Sequence, residues 1–262
     1  MEPIQEFNPG IYENMPMSVY RNIPALNKSS MTSLQRSDFH FHYNNKKSNN
    51  KISRALAIGS ALDMRLFEPE NYKLNIKPHP LKTPRKYITE DREILYLHPE
   101  DINMIEKMYE SLMAHPLTSN IFASGQPQVS LFWIDESTGI RCKARIDFLC
   151  IDINLIVDLK TTKDASYNQF RWDAKKYKYN YQASWYQEGY KSLTGKLLNW
   201  NYVCIENTPP FAQEQIAIYN LPQIEMDAAA LEIDEIKLKY KHYTQNIIHA
   251  GYPIEVQDLY LP

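Results

Sequence analysis

The stretch that most constrains the fold lies at residues 128–162, where the hydrophobic period changes from helical to strand-like. QVSLFWI, GIRCKARIDFLCI and NLIVDLKTT are three β-type runs, separated by DEST and by a tight turn near Asp152 and Ile153. They predict a meander of three strands.

Around this meander the period is mostly helical. SSMTSLQRSDFHFHYNN, opened by serines suited to N-capping, and RALAIGSALDMRLFEPENY, limited by Pro69, predict two helices, and a third is expected over about residues 100–114. Between them, residues 73–99 are rich in proline, lysine and histidine and read as a long surface loop, with His79 and His98 exposed. After the meander, Ala165 to Leu193 reads as an aromatic and basic helix, NWNYVCIE and EQIAIYNL as two strands, and MDAAALEIDEIKLKYKHYTQNIIHA as a long amphipathic helix. Residues 1–25 form an N-terminal extension to a single α/β domain over 26–262. No internal repeat appears, and NNKKSNNK is the one low-complexity tract.

A hairpin turning at Asp152 and Ile153 places Asp147 opposite Asp158, since both are equally far from the turn. Directly opposed side chains stand about 5 Å apart on one face, which Lys160 shares. Two carboxylates held so closely repel, so neutralising one is expected to stabilise the chain unless a proton or a cation compensates. Hard oxygen ligands suit Mg2+ or Mn2+, and an adjacent lysine can orient or deprotonate an attacking water. A salt-bridged hairpin on a solvated face would carry the same residues, and spacing alone leaves both readings open.

Context favours the first. An Asp, then Asp-x-Lys on adjacent strands, after helices and before a helix, resembles the PD-(D/E)XK nuclease fold, a central mixed β-sheet flanked by helices. Gln182 and Tyr186 in YNYQASWYQEGY look like the Q-x-x-x-Y motif of its RecB-like branch. The order of IGSALDMRLFEPENY, STGIRCKARID, VDLKTT and YNYQASWYQEGY is similar to that of the exonuclease VIII (RecE-type) catalytic domain. That resemblance implies a Mg2+- or Mn2+-dependent deoxyribonuclease in which Asp147, Asp158 and the Leu159 carbonyl ligate the metal. Lys160 would position or activate water, Gln182 would hold lysine, water or phosphate, and Tyr186 would pack against the DNA backbone. It further implies 5′-to-3′ digestion of linear double-stranded DNA ends in recombination, of the kind found in phages. A homo-oligomeric ring and a single-strand annealing partner are implied as well. The chain departs from the pattern in two places: Asp63 stands where a metal-binding histidine is usual, and Gln128 where an acid often begins the first strand. Asp63 remains a candidate ligand. A Cas4-like or endonucleolytic enzyme, or a silent DNA-end-binding protein, are the alternatives, although the cysteines of a Cas4-type cluster are missing.

With 29 Lys and Arg against 31 Asp and Glu, affinity for a polyanion must come from local clustering. Trp172, Lys175, Lys176, Tyr177, Lys178, Tyr179 and Tyr181 interleave aromatics with cations, and Lys176 and Lys178 are the expected DNA contacts. Ser29, Ser30 and Arg145 are further phosphate candidates, as are the stretches from Lys46 to Arg54 and from Lys82 to Lys86. Cys142, Cys150 and Cys204 form no CxxC and read as reduced core thiols. Without a signal-like start or a run of eighteen apolar residues, a cytoplasmic protein away from membranes is expected.

Overall fold

The computed structural model describes residues 6–46, 53–79, 81, 94–245 and 251–252. A short strand β1 (Gly10–Tyr12) and a helix α1 (Met17–Asn22) lie within the N-terminal extension. The first expected helix is two, α2 (Lys28–Arg36) and α3 (Asp38–Lys46), because Ser37 adopts an extended backbone between them. Helix α4 (Arg54–Phe67) starts on Ser53, whose hydroxyl accepts from the Leu56 N–H at 3.2 Å. Pro69 then serves as the first residue of α5 (Pro69–Asn75), where its missing N–H costs nothing.

The expected loop is more ordered than its composition implies. Strands β2 (Ile76–Pro78) and β3 (Leu95–Leu97) pair in parallel, while residues 80 and 82–93, including Lys82 to Lys86, lie outside the described residues, as do residues 47–52 of the other basic stretch. His98 is mostly buried instead of exposed. It caps α6 (Pro99–Ala114) by accepting the Glu100 N–H at 3.2 Å, and a helix absent from the sequence reading, α7 (Pro116–Ala123), follows.

The meander forms as β4 (Gln126–Ile134), β5 (Arg141–Cys150) and β6 (Leu155–Thr162). Next come α8 (Tyr167–Lys176) and α9 (Tyr179–Thr194), which were expected as one helix. They are separated because Lys178 takes a left-handed conformation, φ 51 and ψ 55. Strands β7 (Asn199–Glu206) and β8 (Ile216–Asn220) and the long α10 (Gln223–Gln245) complete the chain, with residues 246–250 of the expected last helix outside the described residues.

The six-stranded sheet runs β1-β4-β5-β6-β7-β8, antiparallel except for the parallel pair β6 and β7, so it is mixed. The pair requires a crossover, and α8 with α9 supplies it. One core packs α2, α3, α9 and α10 on one face; a second packs α4 and α6 on the other. Both are continuous and apolar, and the three cysteines are buried and unpaired within them. Among the described residues no helix is long and apolar enough to cross a membrane.

The seam between α9 and β4 shows how tight the first core is. A Cβ at Gly189 would stand 2.7 Å from the Trp133 ring, itself wedged against Trp185 with centroids 4.8 Å apart. Gly189→Ala is therefore expected to destabilise the fold by about 1–3 kcal/mol through overpacking, measurable as a lower denaturant midpoint at unchanged slope.

Candidate active site

The β5–β6 ladder has the register that the turn predicts: Cys150 opposes Leu155 and Phe148 opposes Val157, so the next pair in phase is Asp147 and Asp158. The regular ladder stops one step short of it. On the other side of β5, Gln128 has φ 55 and is skipped between the pairs Pro127–Phe148 and Val129–Ile146. Residues 142, 144 and 146 join one core whereas 148 and 150 join the other, so β5 changes phase at Asp147. Past that kink Asp147 is in phase with Leu149, which opposes Ile156, so Asp147 and Asp158 share one face of the sheet.

Asp158 is buried at the centre of the cluster. The Lys160 ammonium contacts its Oδ2, and the Gln182 side-chain N–H donates to its Oδ1. Lys160 in turn donates to Gln182 Oε1 at 3.3 Å and lies over the Tyr179 ring at 4.8 Å. Gln182 thus bridges the carboxylate and the ammonium. It can do so because the break at Lys178 turns α9 toward the sheet, and Tyr186, one turn on, shares that helix face. The Tyr186 hydroxyl is within hydrogen-bond reach of Gln182, and its ring packs edge-on against Trp200 at 5.8 Å. Burial, with Tyr20, Asp147 and Asp158 nearby, pushes its phenol well above the usual range.

Electrostatics show how strongly the groups interact. Burial first, and then the Asp158 charge, raise Asp147 to about 7, against the pull of Lys160 and of the Leu159 N–H. Asp147 stands close enough to Asp158 for each carboxylate to disfavour charge on the other. Asp63, from α4, is raised well above the carboxylate range by burial and by Asp147, Asp158 and Glu68. Lys160 is held charged: burial works against its ammonium, but Asp158 and Asp147 outweigh it and raise its pKa.

Two members escaped the sequence reading. Glu68, at the α4–α5 junction, joins the acidic group and stands 3.8 Å from Arg145; its one signal was a carboxylate five residues past Asp63 in the same motif. Lys28, at the start of α2, is lowered by burial and by Lys160, with Asp158 opposing. No local pattern marked it.

Among the described residues, no three histidine, cysteine or acidic side chains already stand at metal-ligand separations. The donor set nonetheless fits a hard divalent cation. Asp158 Oδ2 is buried, and its one partner among the described residues is the Lys160 ammonium. The raised Asp147 carboxyl beside the buried Asp158 marks a place where a cation would relieve the repulsion. Asp147, Asp158 and Asp63 are therefore the side chains able to hold such an ion, with the Leu159 carbonyl between the hairpin pair.

The remaining candidates divide. Ser29 and Ser30 are engaged at the start of α2, where the cap is Asn27: its Oδ1 accepts from the Ser30 N–H at 3.1 Å and the Ser29 hydroxyl at 2.6 Å. Arg145 is buried and spends its donors on Gln128 Oε1 at 2.8 Å, the Met15 carbonyl at 2.7 Å and Ser130 at 3.2 Å. Gln128 is consequently an Arg145 acceptor. Lys178 reaches inward to Gln35 at 3.3 Å and the Tyr181 hydroxyl at 3.0 Å, whereas Lys176 is exposed. Lys176→Glu is expected to weaken duplex binding and shallow its salt slope by about one unit. Lys178→Glu should lower the melting temperature as well.

Comparison with known proteins finds the fold elsewhere. A candidate exonuclease of Eubacterium rectale, solved by crystallography, is similar over 95% of this chain and 94% of its own at 16% identity and a TM-score of 0.62. A phage-related exonuclease of Haemophilus somnus 129PT aligns over 53% of this chain and 70% of its own, at 11% identity and a TM-score of 0.33. No curated protein matches the chain. The family described as the PDDEXK-like domain of unknown function (DUF3799) matches residues 28–254, nearly the whole chain, and the protein belongs to that family.

Proposed function

We propose that the protein is a metal-dependent deoxyribonuclease that digests linear double-stranded DNA from its ends, 5′ to 3′, as in the RecE-type branch, and leaves 3′ single strands for recombination. The observation that carries the reading is the buried Asp158 carboxylate, clamped by Lys160 and Gln182 beside Asp147, whose own carboxyl is raised to about 7. The fold shared with the Eubacterium rectale exonuclease supports it, as does membership of a PDDEXK-like family. A ring of identical subunits, an annealing protein as partner, and action in the cytoplasm belong to the same proposal.

Asp147, Asp158, the Leu159 carbonyl and Asp63 would hold Mg2+ or Mn2+, which supplies Lewis acidity toward a phosphodiester. The chain's own residues do the rest. Lys160, held charged, acts as a donor to water or to a phosphate oxygen, not as the base. Gln182 fixes the direction of both Lys160 and Asp158, and Tyr186 backs Gln182 from one helical turn away.

Digestion of linear duplexes labelled separately at each end, with and without Mg2+, tests the reading. The 5′ label should be released first as mononucleotide or short product, and only with the metal. Early loss of the 3′ label would overturn the polarity. Asp63 is tested by substitution: Asp63→Ala should raise the Mg2+ concentration for half-maximal activity, and Asp63→His should recover more activity than alanine. A lower melting temperature at unchanged metal requirement would make Asp63 structural.

A further inference from the structure

Beside the site, α8, α9, β7, β8 and the start of α10 enclose a cleft of about 690 Å3. Its floor is aromatic: Phe170, Tyr202 and Tyr219 pack together, with Phe170 and Tyr219 stacked at 5.2 Å and 12°. The α8 wall carries Arg171, Trp172 and Lys175, all exposed, with the Lys175 ammonium 6.0 Å from the Trp172 ring. Across from it lie Glu225 and Glu232, the latter held by the Tyr181 hydroxyl and 3.7 Å from the ammonium of Lys178, a further cation lining the cleft. Cleft and site adjoin: Tyr202 of the cleft opposes Asp158 across β6 and β7, and Tyr179 lies 4.8 Å from the Lys160 ammonium and 5.9 Å from the Tyr202 ring.

We infer that this cleft holds single-stranded DNA, namely the strand that remains unpaired beside the Asp158 site as its complement is removed. The inference rests on the nuclease reading for the origin of that strand, and on the cleft alone for its binding. Unpaired bases present faces that stack on aromatic rings, whereas the bases of a duplex are covered by their neighbours. The volume suits one or two nucleotides and not a helix. The charges set the direction of entry: phosphates follow Arg171 and Lys175, are repelled from Glu225, and leave the bases turned toward the exposed Trp172 and Tyr167 and the half-buried Tyr219.

The chain carries its own probe. Trp172 is 67% exposed, while Trp133, Trp185 and Trp200 are at most 1% exposed, so quenching by a ligand reports Trp172. Metal-free full-length protein should show strong quenching with a short oligothymidylate at low salt. Thymidine monophosphate should need at least about a hundredfold higher concentration, since it offers one base and one phosphate. By fluorescence anisotropy of a labelled oligothymidylate, Trp172→Ala combined with Lys175→Ala should weaken binding about tenfold or more, and Trp172→Phe should weaken it little. Equal affinity for the monophosphate would overturn the inference in favour of a site for released nucleotide. Absence of quenching, or binding untouched by the double substitution, would overturn it outright. Oligothymidylate binding without any DNA cleavage in Mg2+ would fail the nuclease reading and leave the cleft standing; cleavage without quenching would do the reverse.

Discussion

Replacing Lys160 with alanine is expected to reduce single-turnover DNA cleavage by about a hundred- to ten-thousandfold, the range for losing a positioned donor at a phosphoryl centre. Duplex affinity should change by only a few fold, because phosphate contacts elsewhere supply it. The same substitution leaves Asp158, buried and ionic, without its cation, so the metal-free protein should lose about 3 kcal/mol of stability. Asp158→Asn abandons the ammonium in the same way and should behave alike. Mg2+ should return part of the loss to Lys160→Ala and little to Asp158→Asn. Wild-type cleavage by either variant would remove the pair from catalysis.

The opposite sign is expected at Asp147. Its folded pKa, about 7, lies above that of an unfolded aspartate, so between roughly pH 4 and 7 the native state binds more protons than the unfolded one. Stability of the metal-free protein therefore falls as pH rises through that window, and levels off above it. Asp147→Asn carries no such titration. Relative to wild type the variant should be nearly neutral below about pH 4 and clearly more stable at pH 8, by a margin on the order of kilocalories per mole. Mg2+ should raise the melting temperature of wild type at pH 8 more than that of Asp147→Asn. Urea denaturation across pH 4 to 8, with and without Mg2+, reads both effects, and a difference independent of pH would contradict a raised Asp147 carboxyl.

These two results separate what the sequence made legible from what it did not. Period-two alternation and a turn at Asp152 and Ile153 were enough for the register that opposes Asp147 to Asp158, because register is a local property of a hairpin. Gln182 and Tyr186 were legible only through the resemblance of YNYQASWYQEGY to a Q-x-x-x-Y motif, whose spacing puts both on one helix face. The sign of stability at Asp158 was not. Mutual repulsion of the carboxylates predicted that neutralising Asp158 would stabilise the chain, but Lys160 and Gln182 turn out to be bound to that carboxylate, so the repelled partner is Asp147. Which carboxylate takes the lysine depends on rotamers and on the kink at Gln128, neither of which has a sequence pattern.

Tertiary packing accounts for the rest. Glu68 and Lys28 reach the site from helix termini far away in the chain, and only the stacking of α2 and α4 on opposite faces of the sheet brings them near. The N-terminal extension contributes an edge strand, and its carbonyls at Tyr20, Arg21 and Ile23 all accept from the buried Lys143 ammonium, at 2.8, 3.2 and 2.7 Å. A lysine with that role is indistinguishable in sequence from a surface one. Conversely, the serines at the start of α2 and Lys178 had the composition of phosphate contacts but are engaged by Asn27, Gln35 and Tyr181.

The central claim is that the Asp147 and Asp158 carboxylates, with Lys160, form a metal-dependent centre for phosphodiester hydrolysis. The most direct measurement is release of acid-soluble nucleotide from linear duplex DNA by purified, metal-stripped protein as Mg2+ is titrated, run beside Asp158→Asn. The account predicts no release without a divalent ion, saturable release with Mg2+ or Mn2+, and none from the variant at any concentration. Release that persists in excess chelator, or that Asp158→Asn performs at the wild-type rate, would contradict it.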